Sequence, residues 1–257
     1  MKKILAMILC CMIILSLASC GIVKSIVKDS AKQDAPSSKI EISIPDLDDI
    51  LDPPADYDDV DDTDDVDDND DSDTDWDDTE WSSVLGTTTD DTYKNEYFDF
   101  GFNAGSWIFT SDEELLKLNN FDTDSDKTIA EQIEDANLIF DMQAASPDMR
   151  QNVGVNFEKL SMINELLLDE QSYLEAQEED IKSVLEDMGV HDLDVYIGEK
   201  NFAGESYPAA IVTGTLAGMD YYQVDVCVKN GRYIANIAVT VLGNDTIDDV
   251  LAKFHKL

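Results

Sequence analysis

Residues 207–242 read YPAAIVTGTLAGMDYYQVDVCVKNGRYIANIAVTVL, and their composition decides the fold class. Runs rich in Val, Ile, Thr and Tyr predict strands over Tyr207–Leu216, Tyr221–Lys229 and Tyr233–Leu242. Ala217-Gly218 and Asn230-Gly231 punctuate them. Asn-Gly is a strong hairpin signal, because a type I′ turn needs positive φ at both central residues. Val190–Phe202 supplies a fourth strand directly upstream. Four strands in series, joined by loops too short for a parallel crossover, predict an antiparallel sheet.

Working outward from this stretch, a long helix is expected over about Asn164–Met188, ending at Gly189. Leu167, Leu174, Ile181 and Met188 recur every seven residues, joined by Leu185, while Glu175, Glu178 and Glu179 face water. A single helix of this length covers a sheet rather than forming a coiled coil. Leu138–Ala144 and Asn152–Leu160 read as strands. Ser111 with Glu114, and Thr128 with Glu131, form capping boxes that open two short helices. Tyr97–Phe102 and Gly105–Thr110 read as strands meeting near Asn103-Ala104, and a closing helix is expected over Thr246–His255. That helix places Ile247, Val250, Leu251 and Phe254 on one face. The order ββααββαββββα predicts an α+β domain, an antiparallel sheet with helices packed on it, over residues 93–257.

The N-terminal third is of another kind. Lys2 and Lys3 precede an apolar run from Ile4 to Ala18, too short to span a hydrocarbon layer that needs about 20 apolar residues. Leu17-Ala18-Ser19-Cys20-Gly21 follows and looks like a lipobox. Residues 1–19 thus read as a lipoprotein signal peptide. The resemblance implies that Cys20 becomes the mature N-terminus and carries diacylglycerol with fatty acyl chains of the palmitate kind. Two chains anchor stably, and the resemblance implies a place on the extracytoplasmic side of a cell membrane.

The chain holds 57 acidic residues against 17 Lys and Arg, a formal net charge of −40. That balance opposes binding to nucleic acid or to anionic headgroups, both of which would be repelled. Residues 29–92 carry 25 acids and only two bases, Lys32 and Lys39. Such a run cannot bury enough apolar surface to offset ordering entropy, so residues 20–92 are expected to form a disordered acidic tether. A neutral coil of the 72 residues 21–92 would span about 50 Å, and full extension reaches at most roughly 250 Å. The aspartate run would condense divalent cations weakly. It lacks the glycine turn and bidentate glutamate of a dedicated calcium site. Trp76 and Trp81 read as contacts with the folded domain.

Candidate chemistry is sparse. Asp122-Thr123-Asp124-Ser125-Asp126 matches the first three oxygen positions of an EF-hand loop, with Ile129 at the eighth. Lys127 stands where glycine belongs and Ile133 where the bidentate glutamate belongs, so Asp122, Asp124 and Asp126 read as a loop feeding a helix N-terminus. His191 and His255 are the only histidines and read as surface residues. Cys10 and Cys11 leave with the signal peptide, so Cys227 is the lone cysteine of the soluble part and no disulfide can form within it. Cys227 alternates with Asp225 and Gln223, and an acidic neighbour raises a thiol pKa, so it reads as a packing residue. No phosphate loop, nucleophile elbow or zinc-binding motif is present, and no catalytic residue is assigned.

Phe100-Gly101-Phe102, Gly105-Ser106-Trp107-Ile108-Phe109, Ser111-Asp112-Glu113-Glu114-Leu115, Phe140-Asp141-Met142, Val155-Asn156-Phe157-Glu158 and Tyr221-Tyr222 together resemble a group of uncharacterised Gram-positive surface lipoproteins. Their soluble part is similar to the PsbP-like α/β/α sandwich. The resemblance covers residues 93–257 and implies a fold. It carries over no catalytic residues and no cofactor beyond the diacylglycerol on Cys20. The expected function is a lipid-anchored, non-catalytic binding or accessory domain for a protein or another envelope component. The alternatives are an envelope enzyme with a carboxylate site, and low-affinity cation binding by the aspartate run.

Fluorophores at positions 30 and 90 test the tether. Energy transfer should report compaction as salt rises from 0.1 M to 1 M, where the screening length falls from about 10 Å to about 3 Å. A constant distance would contradict a self-repelling coil.

Overall fold

The computed structural model describes residues 80–257. A one-turn helix α1 (Trp81–Val84) leads into three short strands, β1 (Thr87–Thr88), β2 (Thr92–Asn95) and β3 (Phe100–Asn103). Then come β4 (Ile108–Phe109), α2 (Asp112–Leu118) and α3 (Ile129–Glu134). β5 (Leu138–Ala145), β6 (Gln151–Lys159), α4 (Met162–Leu167) and α5 (Glu170–Asp187) follow. The C-terminal part is β7 (Val190–Phe202), β8 (Glu205–Leu216), β9 (Met219–Asn230), β10 (Tyr233–Leu242), α6 (Ile247–Leu251) and β11 (Phe254–Lys256).

The fold is α+β and its sheets are antiparallel throughout. β7 to β10 form the expected meander, and β10 then pairs with β6 over nine residues from Tyr233↔Lys159 to Val241↔Gln151. The large sheet therefore runs β4-β5-β6-β10-β9-β8-β7. Its central strand is buried along nearly its whole length, which is why Tyr233–Leu242 reads as continuous apolar sequence with little alternation. On one face lies a core with Phe157, Val226 and Val239, capped by the small sheet β1-β2-β3-β11 and by α1 and α6. On the other, α5 lays Leu174, Ile181, Leu185 and Met188 on Ala210, Val212 and Leu216. No helix among the described residues is long and apolar enough to cross a membrane.

Several boundaries move. The long helix expected over 164–188 is two helices. Leu168 is extended, and the Asp169 side chain accepts the Ser172 amide at 2.8 Å to start α5 afresh. This local capping bond competes with helix continuation. Leu167 consequently leaves the heptad stripe and is 73% exposed, with Met162, Ile163 and Leu166 exposed beside it on α4. The closing helix stops at Leu251, because Phe254 is drawn into strand pairing with Phe102 among Phe100, Phe102 and Phe202. Residues 97–102 and 105–110 do not pair with each other. β3 joins the small sheet and β4 the large one.

The turns are also redistributed. Positive φ at both central positions occurs at Ala203-Gly204 (50° and 90°) and Ala217-Gly218 (53° and 80°). At the β9–β10 hairpin Tyr233 pairs with Asn230, so the two-residue loop is Gly231-Arg232 and Asn230 belongs to the strand. The hairpin is where the sequence places it, one residue out of phase.

The domain also begins earlier than residue 93. Trp81 and Val84 are fully buried in the first core. The Trp81 indole donates to the Ala136 carbonyl at 2.9 Å and meets the Tyr233 ring edge-on at 4.9 Å. Gly86 is pressed so closely on Tyr93 that a Cβ would lie 2.4 Å from its ring, and both bond to the Asp141 carboxylate at 2.8 and 2.6 Å. Asp141 reaches them because β5 slips register between Phe140 and Met142. The remaining residues assigned to the signal peptide and the acidic tether, 1–79, lie outside the described residues.

Trp81→Ala should therefore destabilise the domain by about 3–5 kcal/mol, the usual cost of emptying a buried aromatic site. Chemical denaturation of residues 80–257 checks this, and an unchanged midpoint would return the boundary to residue 93.

Candidate functional site

Strand alternation and register bring the polar side chains of the large sheet onto the face that α5 covers in part. Asn152, Thr240 and Gln223 stand side by side on β6, β10 and β9, and Asn156 and Asn236 form a second pair. The Asn236 amide donates to the Tyr173 hydroxyl of α5 at 2.9 Å, and Tyr173 donates to Glu158 at 2.7 Å. α5 lies over β7, β8 and β9, while α2 crosses β5 near the opposite edge.

The placement of α2 follows from two local devices. The expected capping box forms: the Ser111 hydroxyl accepts the Glu114 amide at 3.4 Å, and the Glu114 carboxylate accepts the Ser111 amide at 3.2 Å. At the other end Asn119 donates to the Phe140 carbonyl at 2.9 Å and accepts the Phe140 amide at 2.7 Å. Its side chain thereby pairs with β5 as a strand residue would.

Between α2 and the sheet edge lies a cavity of about 490 Å³. Ile108, Phe109, Leu118, Ala145 and Met149 make its apolar walls, with Glu114 and Lys117 also lining it. Its polar floor is Gln143 and Asn152, both buried. Gln143 Oε1 accepts the Thr110 hydroxyl at 3.0 Å. Asn152 is 3% exposed, and its Oδ1 accepts no hydrogen bond among the described residues. Few buried polar atoms in a folded protein stay unsatisfied, so this one calls for an explanation.

From Asn152 the polar row continues inward. Thr240 donates to Gln223 Oε1 at 3.5 Å, the buried Tyr221 hydroxyl makes a short contact to the same atom, and Gln223 Nε2 donates to both Asp225 oxygens at 2.9 and 2.8 Å. Burial raises the Asp225 pKa to about 7, against the stabilising pull of Gln223 on the carboxylate. Gln177 of α5 is likewise buried, with its Nε2 unpartnered among the described residues.

The residues singled out from sequence lie elsewhere. Cys227 is fully buried in the second core, where burial and then Glu170 and Glu158 push its thiol pKa well up, so it packs and does not attack. His191 is exposed at the start of β7. His255 lies on β11 instead of a helix, over Gly101, with Nδ1 3.4 Å from the Asn103 amide. Asp122, Asp124 and Asp126 are exposed, and the Asp122 carboxylate is turned to the Asp124 amide at 2.9 Å. Gln132 staples that loop to the start of α3. Among the described residues no three His, Cys, Asp or Glu side chains gather as a metal cage. Cys20 lies outside the described residues. Asn119, Gln143 and Asn152 carry no sequence signal that marks them out. The readable signal is the polar alternation of Gln223 and Asp225 within an otherwise apolar strand.

No family model and no curated protein matches the chain. A solved structure from Bacteroides thetaiotaomicron aligns over 65% of this chain at 11% identity, with a TM-score of 0.32. The chain spans about half of that protein, 48% of its length, and a likeness this slight carries no argument.

Asp225 makes stability depend on pH. Its folded pKa of about 7 lies above the ordinary carboxylate value of 3.8, so folding takes up a proton between them. The penalty for burying the charge is absent at low pH, grows as pH rises through that window and is complete above neutrality. Asp225→Asn removes it. The variant should match the wild type near pH 4 and exceed it by on the order of 2–4 kcal/mol at pH 8. Paired denaturation curves across pH check this, and a constant difference would mean that Asp225 does not titrate in this window.

Proposed function

We propose that this protein is an extracytoplasmic lipoprotein, held at the cell membrane by diacylglycerol on Cys20, whose domain binds a ligand or envelope partner without transforming it. The observation that carries the binding half is the composition of the cavity beside α2: apolar walls over a floor of two buried amides, with the two charged side chains that also line it, Glu114 and Lys117, engaged by the α2 capping box and by Glu113. The anchoring half is supported by Lys2 and Lys3, the apolar run Ile4–Ala18 and the sequence Leu17-Ala18-Ser19-Cys20. The acidic residues 29–79 fit an extended spacer that keeps the domain away from the anchor. Acidity of the whole chain argues for a partner that is neither nucleic acid nor an anionic lipid surface.

The PsbP-like reading of the domain is supported by its element order: two short helices before a strand pair, a short and a long helix, a four-stranded meander, and a short helix before the last strand. No observation favours the carboxylate enzyme. Asp225, whose pKa burial raises to about 7, is enclosed and already holds Gln223 with both oxygens.

Mass spectrometry of the protein extracted from membranes tests both halves. The denatured chain should begin at residue 20 and carry a diacylglycerol, and Cys20→Ala should leave full-length precursor without it. The native protein should retain a non-covalent small molecule that Ile108→Glu releases. A wild-type residue 20 without lipid removes the anchor, and bound species indifferent to Ile108→Glu remove the cavity as the binding site.

A further inference from the structure

The binding reading leaves open what the cavity takes, and its chemistry narrows the choice. Three observations bear on it. The walls are apolar side chains from two elements, Ile108 and Phe109 of β4 and Leu118 of α2, with Met149 beyond, so they suit a carbon-rich body. The volume of about 490 Å³ lies inside the range of small-molecule sites, roughly 300–1,000 Å³. At the floor, Asn152 lines the cavity, and its Oδ1, closed off from solvent, accepts nothing among the described residues, although the next members of its polar row, Thr240 and Gln223, are hydrogen-bonded. A buried acceptor without a donor is costly to the fold. A ligand whose donor met this oxygen as the amide turned to the cavity would recover the loss.

Charge narrows it further. Glu114 lines the cavity, and residues 93–257 hold 32 acids against 11 bases. The cation that also lines it, Lys117, makes an exposed ion pair with Glu113 at 2.6 Å. An anion would have to compete with that carboxylate and meet the repulsion of Glu114 and the acidic domain.

We propose that the cavity binds an apolar small molecule that carries no negative charge and bears an N–H or O–H donor, with its body against Ile108, Phe109, Leu118 and Met149 and its donor on Asn152 Oδ1, the amide turning to meet it. This rests on the reading of the domain as a binding module and adds the ligand class. A second amide, Gln143, stands beside Asn152 with its oxygen already held by Thr110, which leaves Asn152 as the selecting group. Selection then works by the rule that a site built around a hydrogen bond rejects the isostere that cannot make it.

The test uses N-phenyl-1-naphthylamine, an uncharged fluorophore with a single N–H, and its N-methyl analogue, which lacks it. Both are titrated into the full chain in detergent. The wild type should bind the N–H compound saturably and the N-methyl compound about 3–10-fold more weakly, the worth of one ordinary hydrogen bond. Asn152→Leu should bring the two affinities together. Ile108→Glu, at a side chain 63% exposed and so tolerated by the fold, should abolish both. Equal affinities in the wild type, a comparison that stands even where Asn152→Leu fails to fold, would overturn the donor rule while leaving the cavity a binding site. A preference that persists in Asn152→Leu would do the same. Absence of saturable binding, or binding unaffected by Ile108→Glu, would overturn the inference together with the binding reading.

Discussion

The pairing of β10 between β6 and β9 is the constraint on which the rest of the structure depends. It joins the C-terminal meander to the β5–β6 pair over nine residues of register, and it buries the central strand on both faces. Each face must then be covered, and the sequence answers differently on the two sides. Tyr233, Ala235, Ile237, Val239 and Val241 meet an aromatic layer. Ile234, Asn236, Ala238, Thr240 and Leu242 alternate with them and face the side of α5. A one-residue slip of β10 would exchange the two sets and bury the amides among phenylalanines, so the register is strongly enforced.

The aromatic side explains why the two ends of the described residues converge. Phe100, Phe102, Phe202 and Phe254 pack ring against ring with centroids 4.8 to 6.0 Å apart, and they come from β3, β7 and β11. None of these strands could be stable alone. β11 has three residues and β3 four. Their pairing is held by the burial of the rings, which is why Phe254 leaves the helical pattern. Trp81 closes the same core from the N-terminal side, and the fold reaches back into what composition alone assigns to the acidic segment.

The meander, both capping boxes and the helical stripe Leu174–Ile181–Leu185–Met188 are legible in the sequence because they are local: periodicity, turn chemistry and cap spacing are written within a few residues. The misplacements have two causes. The break at Asp169 is local, an N-cap bond that its side chain accepts from the Ser172 amide and that the heptad spacing masks. The conversion of Phe254 to strand and the separation of β3 from β4 depend on what surrounds each segment in the folded chain, and there the surroundings override a real local propensity. The cavity is illegible for the same reason. Gln143, Asn152 and Leu118 become neighbours only once Asn119 has fastened α2 across β5, and an asparagine at a helix end signals a cap more readily than a strand partner. Asp225 leaves a trace, since a carboxylate between Val224 and Val226 in a run of strand-forming residues is anomalous on composition alone.

The polar row beside α5 is difficult to account for as stabilising architecture. Asp225 spends its charge in an enclosed site, and Asn152 and Gln177 each hold a buried atom that nothing satisfies among the described residues. Replacing such a row by aliphatic side chains of similar volume would relieve those penalties, as it does for many buried polar clusters. Natural proteins carry local violations of this kind chiefly where a function requires them. Asn152, with its unsatisfied Oδ1, is the member of the row that lines the cavity, and the satisfied members, Thr240 and Gln223, lead away from it. A row arranged only to fix register would be expected to close its hydrogen bonds at both ends. This one is closed at Asp225 and open at Asn152, and the open end is where a ligand would complete it.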